Sequence, residues 1–280
     1  MKLKNLFFAT LIAFAVASCK TAAYYQVYKV TPDDRMSLKE NHLVYEDESC
    51  KVSYNLWEEG GNIGFVFHNK TDKNIYLNME ESFFIRNGIA FNYYQKRVFS
   101  NTTSLGTTVT HGANASRSVS GVNYLNLILN NRVSISNSVG EVNTSGKTVS
   151  YTEEKTVCIP GMTSKVIAEY SINQTLYRDC DLLKYPKRKQ IRSKSFNKSD
   201  SPLVFSNRIV YTVGQSGIPV KFENEFYGSQ ITNYPADSIL ESKDEEFCGQ
   251  KIISQMKFFK DVSPDKFYIK YDKGEDPWEH

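Results

Sequence analysis

Catalysis needs side chains that attack, move protons or hold a metal, and this 280-residue chain offers few in useful spacing. No two of its four histidines, His42, His68, His111 and His280, fall where ligands on one element would sit, so no metal site is expected. Gly214-Gln215-Ser216-Gly217-Ile218 approaches the Gly-x-Ser-x-Gly elbow of serine hydrolases. It lacks the final glycine, and Pro219 stands where the elbow's helix should run, so a hairpin turn is expected instead. Gly60-Gly61-Asn62-Ile63-Gly64 lies between two expected antiparallel strands, with no helix N-terminus to meet a phosphate. The acid pairs Glu80-Glu81, Glu153-Glu154 and Glu245-Glu246 invite comparison with glycoside hydrolysis, which needs two carboxylates about 5–10 Å apart. Neighbours on a strand point to opposite faces, so ordinary surface is the expectation for each pair. No catalytic residue and no cofactor is expected.

Other residues could bind. Lys184, Lys187, Arg188, Lys189, Arg192, Lys194 and Lys198 form a run with no acid among them. The expectation is a solvated linker; the functional alternative is contact with anionic headgroups, lipopolysaccharide phosphates or a polyanionic glycan. Exposed tyrosines such as Tyr93-Tyr94 could stack on sugars, although buried cross-strand rings are commoner. Cys50, Cys158, Cys180 and Cys248 are far apart in sequence, unlike the paired cysteines of a zinc site. In an oxidising compartment an even number predicts disulfides, with Cys158–Cys180 closing the shortest loop. Free thiols are the alternative.

The amino terminus places these residues in a compartment. Lys2 and Lys4 precede an apolar run from Leu6 to Val16, broken by Thr10. It is shorter than the roughly 20 residues a spanning helix needs, and has the length of a signal-peptide core. Val16-Ala17-Ser18-Cys19 resembles the lipobox of bacterial lipoproteins. The resemblance implies cleavage before Cys19 and acyl chains on its thiol, each buried methylene contributing about 0.8 kcal/mol of membrane affinity. Lys20 stands where an Asp would resemble an inner-membrane retention signal, which points to the outer membrane. No acid occurs until Asp33, unlike exported surface lipoproteins, so the periplasmic face is expected. The formal charge of +3 falls to about +1 without Lys2 and Lys4, arguing against a dedicated nucleic-acid binder.

Residues 19–48 read as a polar tether, with a turn at Thr31-Pro32-Asp33-Asp34. From Cys50 the period is two: Val52, Tyr54 and Leu56, then Ile63, Phe65 and Phe67. Asn87-Gly88 between apolar runs predicts a type I′ hairpin. Residues 100–150 are rich in Ser, Thr, Asn and Gly and are expected to form a mobile insertion, with Tyr124 to Leu129 as a helix or a strand. The expected architecture is all-β: an immunoglobulin-like sandwich over 49–175, a basic linker over 176–200, and a second smaller β region over 201–272. That second region either packs on the first or completes it.

Ser18-Cys19-Lys20-Thr21 leading into Tyr24-Tyr25-Gln26-Val27-Tyr28-Lys29 resembles a family of Bacteroidetes lipoproteins with no assigned activity. So do Asn69 to Leu77 and Phe205 to Tyr211. The resemblance implies an envelope location and transfers no residue role. Asp237-Ser238-Ile239 is similar to the Asp-Ser/Thr-apolar sites that Bacteroidetes O-glycosylate, which makes Ser238 a candidate acceptor. The expected function is a non-enzymatic binding or scaffolding lipoprotein, touching the bilayer through acylated Cys19 and an envelope protein or glycan elsewhere. A glycan-binding accessory protein and a hydrolase are the alternatives.

Overall fold

The computed structural model describes residues 22–104, 107–109, 139–141, 146–248 and 250–274. Two antiparallel sheets face each other. The smaller has β2 (Met36–Lys39), β3 (His42–Glu46), β4 (Cys50–Tyr54) and β5 (Phe65–Asn69) as successive neighbours, with β14 (Ser164–Ile167) beyond β5. The larger runs β13 (Thr156–Ile159), β6 (Ile75–Asn78), β16 (Val204–Val213), β17 (Val220–Pro235), β1 (Ala23–Pro32), β20 (Lys266–Asp272). Onto it pair β7 (Phe83–Arg86), which joins β16 and carries β8 (Ile89–Asn92), and β15 (Ser193–Ser195), which joins β17.

The period-two pattern does what it predicts. In β4 and β5 every second side chain, from Cys50 to Tyr54 and from Phe65 to Asn69, is buried. The sheets meet through rings: Tyr45 stacks on Phe222 at 4.4 Å, Tyr54 meets Phe226 at 5.3 Å, and Phe67 meets Tyr211 at 5.7 Å. Asn87 (φ 48°) and Gly88 (φ 81°) form the expected tight turn between β7 and β8. Gly61 is needed twice over: its φ is +74°, and a Cβ would lie 2.7 Å from Ile172 and 2.8 Å from Phe267.

The expected tether is not one. Residues 23–32 form β1, hydrogen-bonded to β17 on one side and β20 on the other, and residues 36–46 form the β2–β3 hairpin. Tyr28 and Val30 are buried in the core. Polar Gln26 occupies a core position, and most of the partners that satisfy its amide lie more than 140 residues away. The two β regions are one sandwich, since β16 and β17 lie between β6 and β1. The second completes the first.

The expected insertion starts as a paired ribbon, β9 (Val98–Ser104) against β12 (Gly146–Thr152), followed by β10 (Thr107–Val109) against β11 (Val139–Glu141). Backbone pairing does not need apolar side chains, which is why composition missed it. Residues 105–106, 110–138 and 142–145, including the run from Tyr124 to Leu129, lie outside the described residues. A one-turn helix α1 (Ala236–Ile239) and the hairpin of β18 (Leu240–Phe247) with β19 (Gln250–Phe259) separate β17 from β20. No helix among the described residues is long and apolar enough to cross a membrane.

Candidate functional site

At the end formed by β1, β20 and the second half of β17, the inner face of the larger sheet is covered by residues 172–196. This segment was expected to be a linker over 176–200. It is a strap, and the sequence shows how it is fastened. Leu176 and Leu182 are buried, and Tyr177 and Phe196 pack edge to face at 5.5 Å. Gln26, 1% exposed, uses its whole amide: Nε2 donates to the Tyr177 carbonyl and to Asn233 Oδ1, both at 2.9 Å. Its Oε1 accepts from the Tyr28 hydroxyl at 2.9 Å and the Tyr177 N–H at 2.7 Å. Asn233 Nδ2 donates to the Leu183 carbonyl at 3.0 Å, and the Tyr271 hydroxyl donates to the Lys184 carbonyl. β15 then ties the far end of the strap to β17, from Ser193 opposite Thr232 to Ser195 opposite Gln230.

A cavity of about 460 Å³ opens between the strap and the sheet, lined by Leu176, Leu182, Lys184, Gln26, Asn233 and Tyr271 among others. That volume lies within the usual range for small-molecule sites. Its buried amides, Gln26 and Asn233, hold the strap.

The basic run divides by partner. Lys194 is paired with Asp179, which also accepts from the Tyr177 hydroxyl at 3.0 Å. The Lys194 ammonium and the Asp181 N–H hold the Asp179 carboxyl below the usual range. Lys198 pairs with Glu225. Lys184 places its ammonium 5.2 Å from the centre of the Tyr185 ring. Lys187, Arg188, Lys189 and Arg192 are exposed around a 3-10 turn at Arg188–Gln190, with no carboxylate partner among the described residues. Of the residues proposed for anion contact, then, Lys194 is committed internally and these four are available.

The other candidates sort differently. Cys50, Cys158, Cys180 and Cys248 are free thiols, so the expected disulfides are not formed. Cys50 is buried in β4, where desolvation and then Asp47 push its thiol up. The Ser238 hydroxyl is buried with no hydrogen-bond partner, which closes it to a glycosyl donor in this conformation. Ile239 beside it is a core residue, so the helical turn faces this part of the triplet inward. Tyr93 is not an exposed ring either: it is 3% exposed and donates to Asn207 Oδ1 at 2.7 Å. Among the acids, Glu80 pairs with Lys155 at 2.8 Å. Arg97 lies between Glu153 and Glu169. Burial would raise the Glu153 carboxyl, but bonds from the Arg97 guanidinium and from the Arg97 and Gln95 N–H groups outweigh it and hold it below the usual range. Glu245 and Glu246 have no described side-chain surroundings.

One cluster escaped the sequence reading. Trp57, Tyr268, Phe259 and Tyr25 meet on the outer face of β1 and β20, with Trp57 centred 5.0 Å from Phe259 and 5.2 Å from Tyr268. Burial and then the Glu59 charge push the Tyr268 hydroxyl up to about 12. Alternation in β20 was legible, but Trp57 in a loop and Phe259 at the end of a distant hairpin have no shared sequence signal. Among the described residues, no group of His, Cys, Asp and Glu could hold a metal ion. Comparison with family models, curated proteins and solved structures yields no match for this chain.

Proposed function

We propose that this chain is a lipoprotein of the cell envelope, held in the outer membrane by acylated Cys19, that works by binding or scaffolding and not by catalysis. In this reading it belongs with the Bacteroidetes lipoproteins it resembles, and its body lies on the periplasmic side. The sandwich serves as immunoglobulin-like sandwiches do, as a rigid frame that presents surfaces at its ends. The observation that carries the binding reading is the pairing of the acids around Arg97 and beside the strap cavity. Glu153 and Glu169 share Arg97, and Asp179 holds Lys194. General acid–base work needs a carboxyl free to exchange its proton near the working pH. What remains open to a partner is shape, aromatic surface and the unpaired cations of the strap.

Mass spectrometry of the protein purified from membranes tests the anchor. The expected amino terminus is Cys19 carrying diacylglycerol; a free thiol there, or cleavage elsewhere, overturns it. A non-permeant protease applied to intact cells tests the face. The body should survive until lysis, and digestion on intact cells would place it outside.

A second reading is favoured by one specific observation, the Trp57–Tyr268–Phe259 cluster beside the exposed Glu59. Aromatic faces stack on sugar rings and a carboxylate accepts from hydroxyls, so this surface suits a neutral glycan. Trp57→Ala should abolish retention on immobilised glycans while leaving the thermal transition in place. Equal retention by both forms would remove this reading.

A further inference from the structure

We propose that the strap is a membrane-docking surface, and that it seats the sandwich directly on the anionic phospholipid headgroups of the bilayer that holds Cys19. The inference rests on the anchoring of Cys19 and adds the orientation of the body. Its first support is chain length. Order begins at once after the anchor: the Ala22 carbonyl accepts from the Lys273 N–H at 3.0 Å, and β1 starts at Ala23. Three residue steps separate Cys19 from Ala22, which span at most about 11 Å when fully extended. A tether of some thirty residues would have left the body free to turn. This one does not.

The second support is what lies at that end. Tyr24, the second residue of β1, packs on Tyr185 of the strap at 5.1 Å and on Tyr271 at 5.7 Å. Tyrosines with one side packed and a polar tip are at home at headgroup level. Leu183, 48% exposed, stands beside them on the strap. Lys184 precedes Tyr185, and Lys187, Arg188, Lys189 and Arg192 follow before the chain joins β17 at Ser193. Docking on the strap would bring these exposed cations within the roughly 8 Å over which charges act at physiological salt, where an anionic surface attracts them. Charge complementarity and chain length point to the same occupant.

The test uses the full-length protein purified from membranes and reconstituted in vesicles of phosphatidylcholine alone or phosphatidylcholine mixed with phosphatidylglycerol. Mass spectrometry first reports the state of Cys19, then the rate of amine labelling at each lysine. Lys221, exposed near the opposite end of β17, is the internal reference. Lys187 and Lys189 should label at least about threefold more slowly on the anionic vesicles, with Lys221 unchanged, and added salt should erase the difference. Replacing Arg188→Glu and Arg192→Glu together, both at exposed positions, should erase it too while both reporter lysines remain. Equal labelling on the two vesicle types with Cys19 acylated would overturn the docking and leave the anchor standing. An unmodified Cys19 would overturn both.

Discussion

Gln26 shows how one residue can make a segment legible or not. On paper it is a polar residue in a polar stretch. In the structure its amide satisfies four groups, two on the strap backbone, one on Asn233 and one on Tyr28. Removing it leaves buried donors and acceptors without partners, which costs about 1–3 kcal/mol. Gln26→Ala should lose stability by that amount in chemical denaturation and open the strap to trypsin at its lysines and arginines. A variant as stable and as resistant as the parent would show that the amide does not hold the strap. The same residue explains why the cations were visible in sequence and their placement was not. Lysines and arginines declare their charge wherever they sit, but which of them is neutralised depends on how the fold sets Asp179 of the strap and Glu225 of β17 against them.

At the scale of elements, β1 carries the main correction. A tether contributes nothing to a core, whereas β1 lies between β17 and β20 and sends Tyr28 into the centre, stacked on Phe267 at 4.6 Å. Truncating a buried ring of this size costs about 3–5 kcal/mol. Tyr28→Ala should therefore lower the denaturation midpoint severely or prevent folding, and an unchanged midpoint would restore the tether. The strands with clean alternation, β4, β5 and β6, were legible because each has one buried face and a two-residue period reports it directly. β1 was not: its buried positions alternate at Gln26, Tyr28 and Val30, but the first is polar, and Tyr25 beside it is buried too, which blurs the period in sequence.

For the whole molecule, the 18 tyrosines are the dominant reporters. Burial, as the leading cause, pushes the hydroxyls of Tyr28, Tyr54, Tyr93, Tyr211 and Tyr271 up, and with help from Asp47 it lifts Tyr45 to about 12. The unfolded value is about 10. Between that pH and the folded values the unfolded chain loses protons that the folded chain keeps. The stabilisation is complete below pH 10 and is lost as pH rises through the folded values. Alkaline titration should hold the phenolates of these buried rings back to well above pH 10, and their appearance should coincide with loss of the near-ultraviolet circular dichroism. One smooth phase with the signal intact would contradict the buried-ring core.

The sequence alone was enough for the all-β class, most hairpins, the basic run and the expectation of an acylated Cys19, because alternation, turn chemistry and a short apolar leader are local properties. Tertiary structure decided that residues 23–32 are core, that 172–196 form a strap, that Ser238 is closed, and which cations are spent. Each of those depends on groups brought together in space, from Gln26 with Tyr177 and Asn233 to Lys194 with Asp179 of the same strap. Burial of a polar residue, or neutralisation of a charge, is a property of its partners, and the partners are chosen only when the sheets close.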